Sequence, residues 1–162
     1  MNFNNFTIKS QEAVQKAVEI TSANGQQAIE PVHLLKGVVD VGESLVNYIF
    51  QKLGVNVNLL KTAVDREIAS LPKVSGGEPY LSREANAVLQ KASDYSSKMG
   101  DQFVALESIL MALLQTKSSA SSFMKDAGIN EKELGAAIDE LRKGQSVKDA
   151  SAEDTYNALS KY

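Results

Sequence analysis

Few residues in this 162-residue chain have side chains that commonly carry out catalysis. The sequence contains no cysteine and a single histidine, His33. Without cysteine the chain can form neither a disulfide nor a thiolate nucleophile, and one histidine cannot supply the usual nitrogen and sulfur ligands of a zinc site. A Ser-His-Asp triad could use only His33. No Gly-x-x-x-x-Gly-Lys-Ser/Thr loop is present, so ATP hydrolysis by the P-loop route is not expected of this chain.

Three polar residues stand where a side chain could either cap a helix or contact a ligand. Thr7 precedes an amphipathic segment, as a capping threonine does. Asp101 follows Gly100 in a turn, and Glu107 lies in the apolar run 104–114 (VALESILMALL), near a first turn where the helix dipole favours an acid. The alternative to these structural roles is that the three groups hydrogen-bond an extended backbone beside apolar residues. The residue types alone leave both roles open.

The other candidates for chemistry are assigned structural roles. His33 opens an apolar helical run, and we predict a partly buried histidine that makes one or two hydrogen bonds. Asp139 and Glu140, beside Arg142, are predicted to form a solvated helix face. Met111 lies at a helical position that is more typical of core filler than of a methionine surface.

The composition is that of an ordinary globular protein, with 43% hydrophobic and 23% charged residues. The net charge of −3 gives no excess of Lys and Arg with which to displace counterions from nucleic acid. The N-terminal MNFNNF lacks the basic and apolar regions of a secretory signal, and the run 104–114 is far shorter than the roughly 20 residues of a membrane span. We therefore expect a soluble, cytoplasmic chain with neither nucleic-acid nor membrane partners.

Apolar residues recur at helical spacing in four segments of the first half. The first segment begins after Thr7 and ends at Asn24-Gly25, a helix-stop pair. The second starts near Pro31, which is favoured in a first turn, the third covers about 44–53, and the fourth starts near Asn56. No segment shows the sustained alternation of a strand. The predicted fold class is all-α.

The second half of the chain repeats the first at an offset of 75 residues. The aligned positions are Phe6-Thr7 with Leu81-Ser82, Gly25 with Gly100 and, after a one-residue slip, Gly54-Val55-Asn56 with Gly128-Ile129-Asn130. This register of glycines and caps indicates two copies of a four-helix unit, at about 6–70 and 82–143. Because about 70 residues bury little core alone, we expect one compact domain over 1–143 with pseudo-twofold-related repeats.

Two segments outside the repeats have a different composition. Residues 71–81, which begin LPKVSGGEP, contain Pro, Ser and a Gly pair and are predicted to be a surface connector. Residues 144–162 are polar and rich in small residues, and we predict a linker that ends in a new helical pattern at 154–162 (DTYNALSKY). Because this pattern has no stop signal, the chain is interpreted as the N-terminal piece of a longer protein.

Three stretches carry a resemblance to a known family: 29–35 (IEPVHLL), the Gly100-Asp101 turn before 103–109 (FVALESI), and 144–162 (GQSVKDASAEDTYNALSKY). Together with the double repeat, they resemble the N-terminal domain of Clp-family AAA+ chaperones, of the ClpB disaggregase type. The resemblance implies a domain that engages unfolded or aggregated polypeptides and passes them to a hexameric ATPase ring. It also implies that ATP and Mg²⁺ belong to missing ATPase domains, that a DnaK-type chaperone cooperates, and that the isolated domain is a monomer.

The resemblance further implies which residues handle substrate. A threonine near the N-terminus and two acids around the second-repeat turn are associated with this role in ClpB-type domains, and they match Thr7, Asp101 and Glu107. An apolar groove between the repeats is also implied, and Leu89 and Ile109 are the residues that match its lining. These five residues form the predicted substrate-binding site.

Some positions depart from the family pattern and separate the hypotheses. Lys91 and Ser108 stand where apolar groove residues are expected. Val32 aligns with Glu107, so one repeat lacks the acid that Clp unfoldases recognising phosphorylated arginine carry in both. Substrate binding is therefore the leading hypothesis, and an adaptor-docking domain of a protease-coupled Clp unfoldase is the alternative. A stand-alone helical enzyme or structural bundle is the third, without a nucleophile–base pair in its favour.

Overall fold

The computed structural model describes residues 2–154, which form eight complete helices and two short strands. The elements are α1 Ile8–Ala23, β1 Ala28–Ile29, α2 Pro31–Val41, α3 Glu43–Leu53, α4 Val57–Ser70, β2 Tyr80–Leu81, α5 Arg83–Lys98, α6 Leu106–Gln115, α7 Ser119–Asp126 and α8 Glu131–Arg142. The prediction of an all-α fold is confirmed. Four helices fall in each half of the chain, in the order that the sequence repeat predicts.

Equivalent residues begin equivalent helices in the two halves. The hydroxyl oxygens of Thr7 and Ser82 accept hydrogen bonds from the backbone three residues later, at the starts of α1 and α5. The side-chain oxygens of Asn56 and Asn130 do the same for α4 and α8. These side chains satisfy amides that a helix start leaves without a partner. The predicted N-cap role of Thr7 is therefore confirmed.

Two short parallel ladders join the repeats by exchanging the arm that precedes the first helix of each. The arm before α5 forms β2 and pairs with β1 of the first repeat, Ala28 opposite Tyr80. The arm before α1 pairs through Phe6 with Val104 of the second repeat. A sequence of two residues cannot display strand alternation, so the sequence did not predict these ladders. Each repeat thus completes the other.

The two central helices, α2 and α6, supply much of the core. Residues 106–114 of α6 are all buried, which explains why this helix is apolar on every side. Gly37 lets α2 approach α1 closely, because a Cβ atom at this position would overlap the Ala13 carbonyl oxygen. None of the described helices combines the length and apolarity needed to cross a bilayer.

The described part of the predicted linker lies against residues of both repeats. Val147 is fully buried, and the Gln102 amide donates to its carbonyl oxygen at 2.7 Å. The Ile8 amide donates to the carbonyl oxygen of Ala150 at 2.8 Å. We call residues 147–153 the strap. The helical pattern predicted for 154–162 lies, beyond its first residue, outside the described residues.

Candidate functional site

A buried arginine organises the polar residues of the second repeat. Arg142 lies on α8 at a four-residue step after Ile138, on the face that also carries Leu134, and its side chain is only 2% exposed. This position explains its burial, because residues four apart share one face of a helix. Asp139 and Glu140 are exposed, as predicted, but Arg142 beside them is not part of that solvated face. The apolar stripe Leu134–Ile138 was the sequence signal that could have placed it inside.

Arg142 pairs with both of the acids that the sequence analysis selected. Its Nε donates to Glu107 Oε2 at 2.8 Å, and its Nη1 lies 3.0 Å from Asp101 Oδ2. The Glu107 and Asp101 side chains have no exposed area. Arg142 Nη2 also lies 3.5 Å from the Ser108 hydroxyl. A planar guanidinium suits this arrangement, since its donors point in several fixed directions. Ser108, which departs from the expected apolar groove pattern, is therefore part of the polar cluster.

Thr7 and the strap form the second half of the cluster. The Thr7 hydroxyl donates a hydrogen bond to Glu153 Oε2, and Glu153 Oε2 also accepts one from the Leu106 amide at 3.0 Å. The Leu106 amide belongs to the first turn of α6, where the backbone has free donors and the helix dipole favours negative charge. Glu153 is 1% exposed, although nothing in the sequence around it predicted burial. Thr7 thus joins the starts of α1 and α6 to the strap.

The cluster buries more negative than positive charge. The pKa of the Glu153 carboxyl is raised to about 7, chiefly by burial and also by the nearby Glu107 carboxylate, against the opposing effect of the Thr7 and Leu106 hydrogen bonds. Glu107 Oε1 and Glu153 Oε1 have no hydrogen-bond partner among the described residues. Removing a carboxylate from water without full compensation is unfavourable, so the strap is held at an electrostatic cost.

The structure brings together three of the five predicted site residues. Thr7, Asp101 and Glu107 meet within one cluster, but their polar groups are directed at Arg142 and the strap. In this arrangement the three residues stabilise the domain internally, and contact with another chain requires the strap to move. Arg142 and Glu153, which the sequence analysis did not select, are the residues that hold them.

Leu89 and Ile109, the predicted groove lining, lie elsewhere. Both are completely buried in the core, because α5 and α6 pack against each other along the faces that carry them. Neither presents surface to a bound chain in this structure. Lys91, by contrast, is exposed on α5.

Accessible apolar surface is found in a cleft of about 240 Å³ on the first repeat. Its walls are apolar residues of α2, α3 and α4, among them Val39, Phe50 and Val57. Lys36 and Asp65 stand at its rim and form an ion pair at 2.5 Å. Leu59, nearly half exposed, lies on α4, which supplies one wall of this cleft. The equivalent surface of the second repeat is shallower and carries Met111, Gln115 and Asp139.

His33 makes the two hydrogen bonds that a structural role predicts, but it is completely rather than partly buried. The Glu30 amide donates to Nδ1 at 2.9 Å, so Nε2 carries the proton and donates to Gln26 Oε1 at 2.8 Å. Burial lowers the pKa of His33 to about 4, which keeps the ring neutral at physiological pH. The ring closes the capping box of α2 and fixes the turn before it.

Comparisons with known proteins agree with the double-repeat architecture. The family model of the Clp repeat (R) N-terminal domain matches residues 5–127. Over its whole length the chain is 64% identical to the chaperone protein ClpB of Bacteroides thetaiotaomicron and 58% identical to that of Porphyromonas gingivalis, and it covers 19% of each. The chain therefore spans about a fifth of the length of these curated relatives.

A solved structure shows the same fold at low sequence identity. The Hsp104 N-terminal domain from Candida albicans has a TM-score of 0.81 and 22% identity to this chain. The match covers 93% of this chain and 99% of that domain. The eight-helix arrangement is thus shared by a protein whose sequence has diverged widely.

Proposed function

The chain belongs to the Clp repeat N-terminal domain family and is the N-terminal domain of a ClpB-type chaperone, and from this premise we propose that it is the substrate-binding domain of a protein disaggregase. It engages unfolded or aggregated polypeptides and passes them to an ATPase ring. The observation that carries the proposal is the 64% identity over the entire chain to a chaperone protein ClpB. ATP, Mg²⁺ and hexamer formation belong in this proposal to ATPase domains outside the chain. A DnaK-type partner and cytoplasmic action against stress-induced aggregates complete it.

Two accessible features support client binding. Chains of many sequences are bound by apolar surface that adapts to different side chains, with polar groups near it. The first-repeat cleft supplies apolar walls and a charged rim. At the start of α1, Ile8 is 50% exposed beside Thr7 and the strap. We assign client contact to this second face, since it combines exposed apolar surface with the polar cluster.

Amide spectra of the isotopically labelled chain, with unfolded casein added, test the assignment. We expect shifts around Thr7 and 101–109, and a folded protein of similar size serves as the control. Shifts confined to α3 and α4 would move client binding to the first-repeat cleft and refute the assigned face. An absence of shifts with casein, together with binding of a folded adaptor, would favour the adaptor-docking alternative.

A further inference from the structure

The strap is held by hydrogen bonds to its backbone, which a foreign peptide that follows the same course could also form. The Gln102 amide donates to the Val147 carbonyl oxygen at 2.7 Å, and the Val147 amide donates to Asp101 Oδ1 at 2.9 Å. The Ile8 amide donates to the carbonyl oxygen of Ala150 at 2.8 Å. Backbone bonds of this type do not depend on sequence, as in peptides that add to a sheet edge.

The side chains of the strap fill small, defined places. Val147 is fully buried and Ala152 is 7% exposed, whereas Lys148, Asp149 and Ser151 face solvent. The carboxylate of Glu153 takes the donors of Thr7 and Leu106 at the far end. The strap turns at 149–151 before Ala152 and Glu153. An occupant therefore needs a small apolar residue, a turn, and a hydrogen-bond acceptor about six residues after the apolar one.

The fit of the strap is incomplete at its Glu153 end. Its Oε1 has no partner among the described residues, and the Glu107 carboxylate lies near enough to oppose its charge. A neutral acceptor on another chain would meet the same two donors without this repulsion. The interactions of Glu153 therefore hold the strap less tightly than those of a fully paired residue would, which is consistent with a segment that is released.

We propose that the strap is an internal competitor that occupies a peptide site formed by Ile8, Asp101, Gln102, Thr7 and Leu106, and that a segment of an unfolded client displaces it. The inference rests on the proposed client-binding function and specifies how that site is controlled. It also explains how Thr7 and Asp101 can contact a client although they are turned inward in this structure. The apparent association constant for a client then equals the intrinsic association constant multiplied by the fraction of molecules in which the strap is released.

A spin label on the strap tests displacement directly. The chain has no cysteine, so Lys148→Cys at an exposed position can be labelled at one place. Without client, the label should broaden the amide signals of Ile8 and Gln102, and saturating unfolded casein should restore them. Casein shifts with unchanged broadening would overturn the strap proposal and leave the proposed function standing. No casein binding at all would refute the proposed function and the strap proposal with it.

A matched pair of variants provides a second test. Val147→Ala weakens the buried anchor and should tighten casein binding about tenfold, which corresponds to ~1.4 kcal/mol. Lys148→Ala, on the same strap but exposed, should leave casein affinity unchanged. Unchanged or weaker binding by Val147→Ala, with amide signals of the first repeat intact, would overturn competition. Should Val147→Ala unfold the domain, Ala152→Gly is the variant in which tighter binding is expected.

Discussion

Glu153 should make the domain less stable as the pH rises, against the usual behaviour of buried carboxylates that are paired with cations. In the folded chain its pKa is about 7, compared with 4.5 for an ordinary glutamate. Below pH 4.5 the group is protonated in both states, and no penalty is present. Between 4.5 and 7 the folded state binds the proton more tightly than the unfolded state, so raising the pH favours unfolding. Above pH 7 the penalty is constant.

The magnitude follows from the size of the shift. A shift from 4.5 to about 7 corresponds to about 3 kcal/mol, at ~1.4 kcal/mol per pH unit. This is a large part of the 5–15 kcal/mol that typically holds a domain folded. Glu153→Gln preserves the shape and the acceptor oxygen but cannot ionise. Its free energy of unfolding should match that of the parent chain near pH 4.5 and exceed it by up to about 3 kcal/mol at pH 8.

Urea unfolding followed by circular dichroism at pH 5, 6, 7 and 8 measures this difference. Subtracting the parent chain from the variant cancels the contribution of all other titrating groups. Glu12→Gln, at an exposed position of α1, is the matched control and should show no pH-dependent difference. The carbon resonance of the Glu153 carboxyl gives the pKa independently, and its midpoint should lie near 7.

Two results would refute the reasoning. One is a difference between the variant and the parent chain that stays constant from pH 5 to pH 8. The other is a parent chain that is more stable than Glu153→Gln at pH 8, which would mean that the Thr7 and Leu106 hydrogen bonds outweigh the burial of charge. If the strap detaches before the domain unfolds, the difference will level off at the free energy of strap docking, and the carboxyl midpoint will fall towards 4.5.

Three further predictions concern stability in urea. Gly37→Ala should destabilise the domain by about 1–3 kcal/mol, because the new methyl group overlaps the backbone of α1. Gly135→Ala is the control: only a Met111 methyl lies near its new Cβ, at 3.8 Å, and alanine favours a helix more than glycine does. It should therefore stabilise the domain by about 0.5–1 kcal/mol. Equal effects would contradict the close packing of α1 and α2. Thr7→Ala should lower the free energy of unfolding by about 2–3 kcal/mol, and the equivalent Ser82→Ala should lower it by about 1 kcal/mol. Both variants lose a helix cap, but only Thr7→Ala also loses a buried hydrogen bond to the strap. Arg142→Met should cost about 3–5 kcal/mol by leaving two buried carboxylates without their cation; a loss below 1 kcal/mol would show that the ion pairs add little.

The local features of the fold could be predicted from the sequence because they depend on neighbouring residues. Thr7 and Asn56 were recognisable as helix starts, and Gly25 as a stop, from their types and their distance to an apolar stripe. The repeat strengthened these predictions, since each feature occurs twice. The role of His33 was also predictable, because a single histidine at the start of an apolar helix has few alternatives to a buried hydrogen bond.

The candidate site was predictable only in part because its partners are distant in sequence. Asp101 and Glu107 were selected by type, but their cation, Arg142, is 41 and 35 residues away and stands beside acids that were interpreted as a solvated face. Glu153 lies 146 residues from Thr7, and no local pattern links them. The accessibility of Leu89 depends on how α5 meets α6, which a one-dimensional pattern does not specify.

The exchange of arms between the repeats also sets the order in which the domain can form on the ribosome. Ala28 has no ladder partner until Tyr80 has been synthesised, and Phe6 must wait for Val104. The first repeat therefore leaves the exit tunnel with an open edge, and it depends on residues made much later to close it. Because pairing over such separations is slower than local helix packing, the domain matures as a whole, late in its own translation.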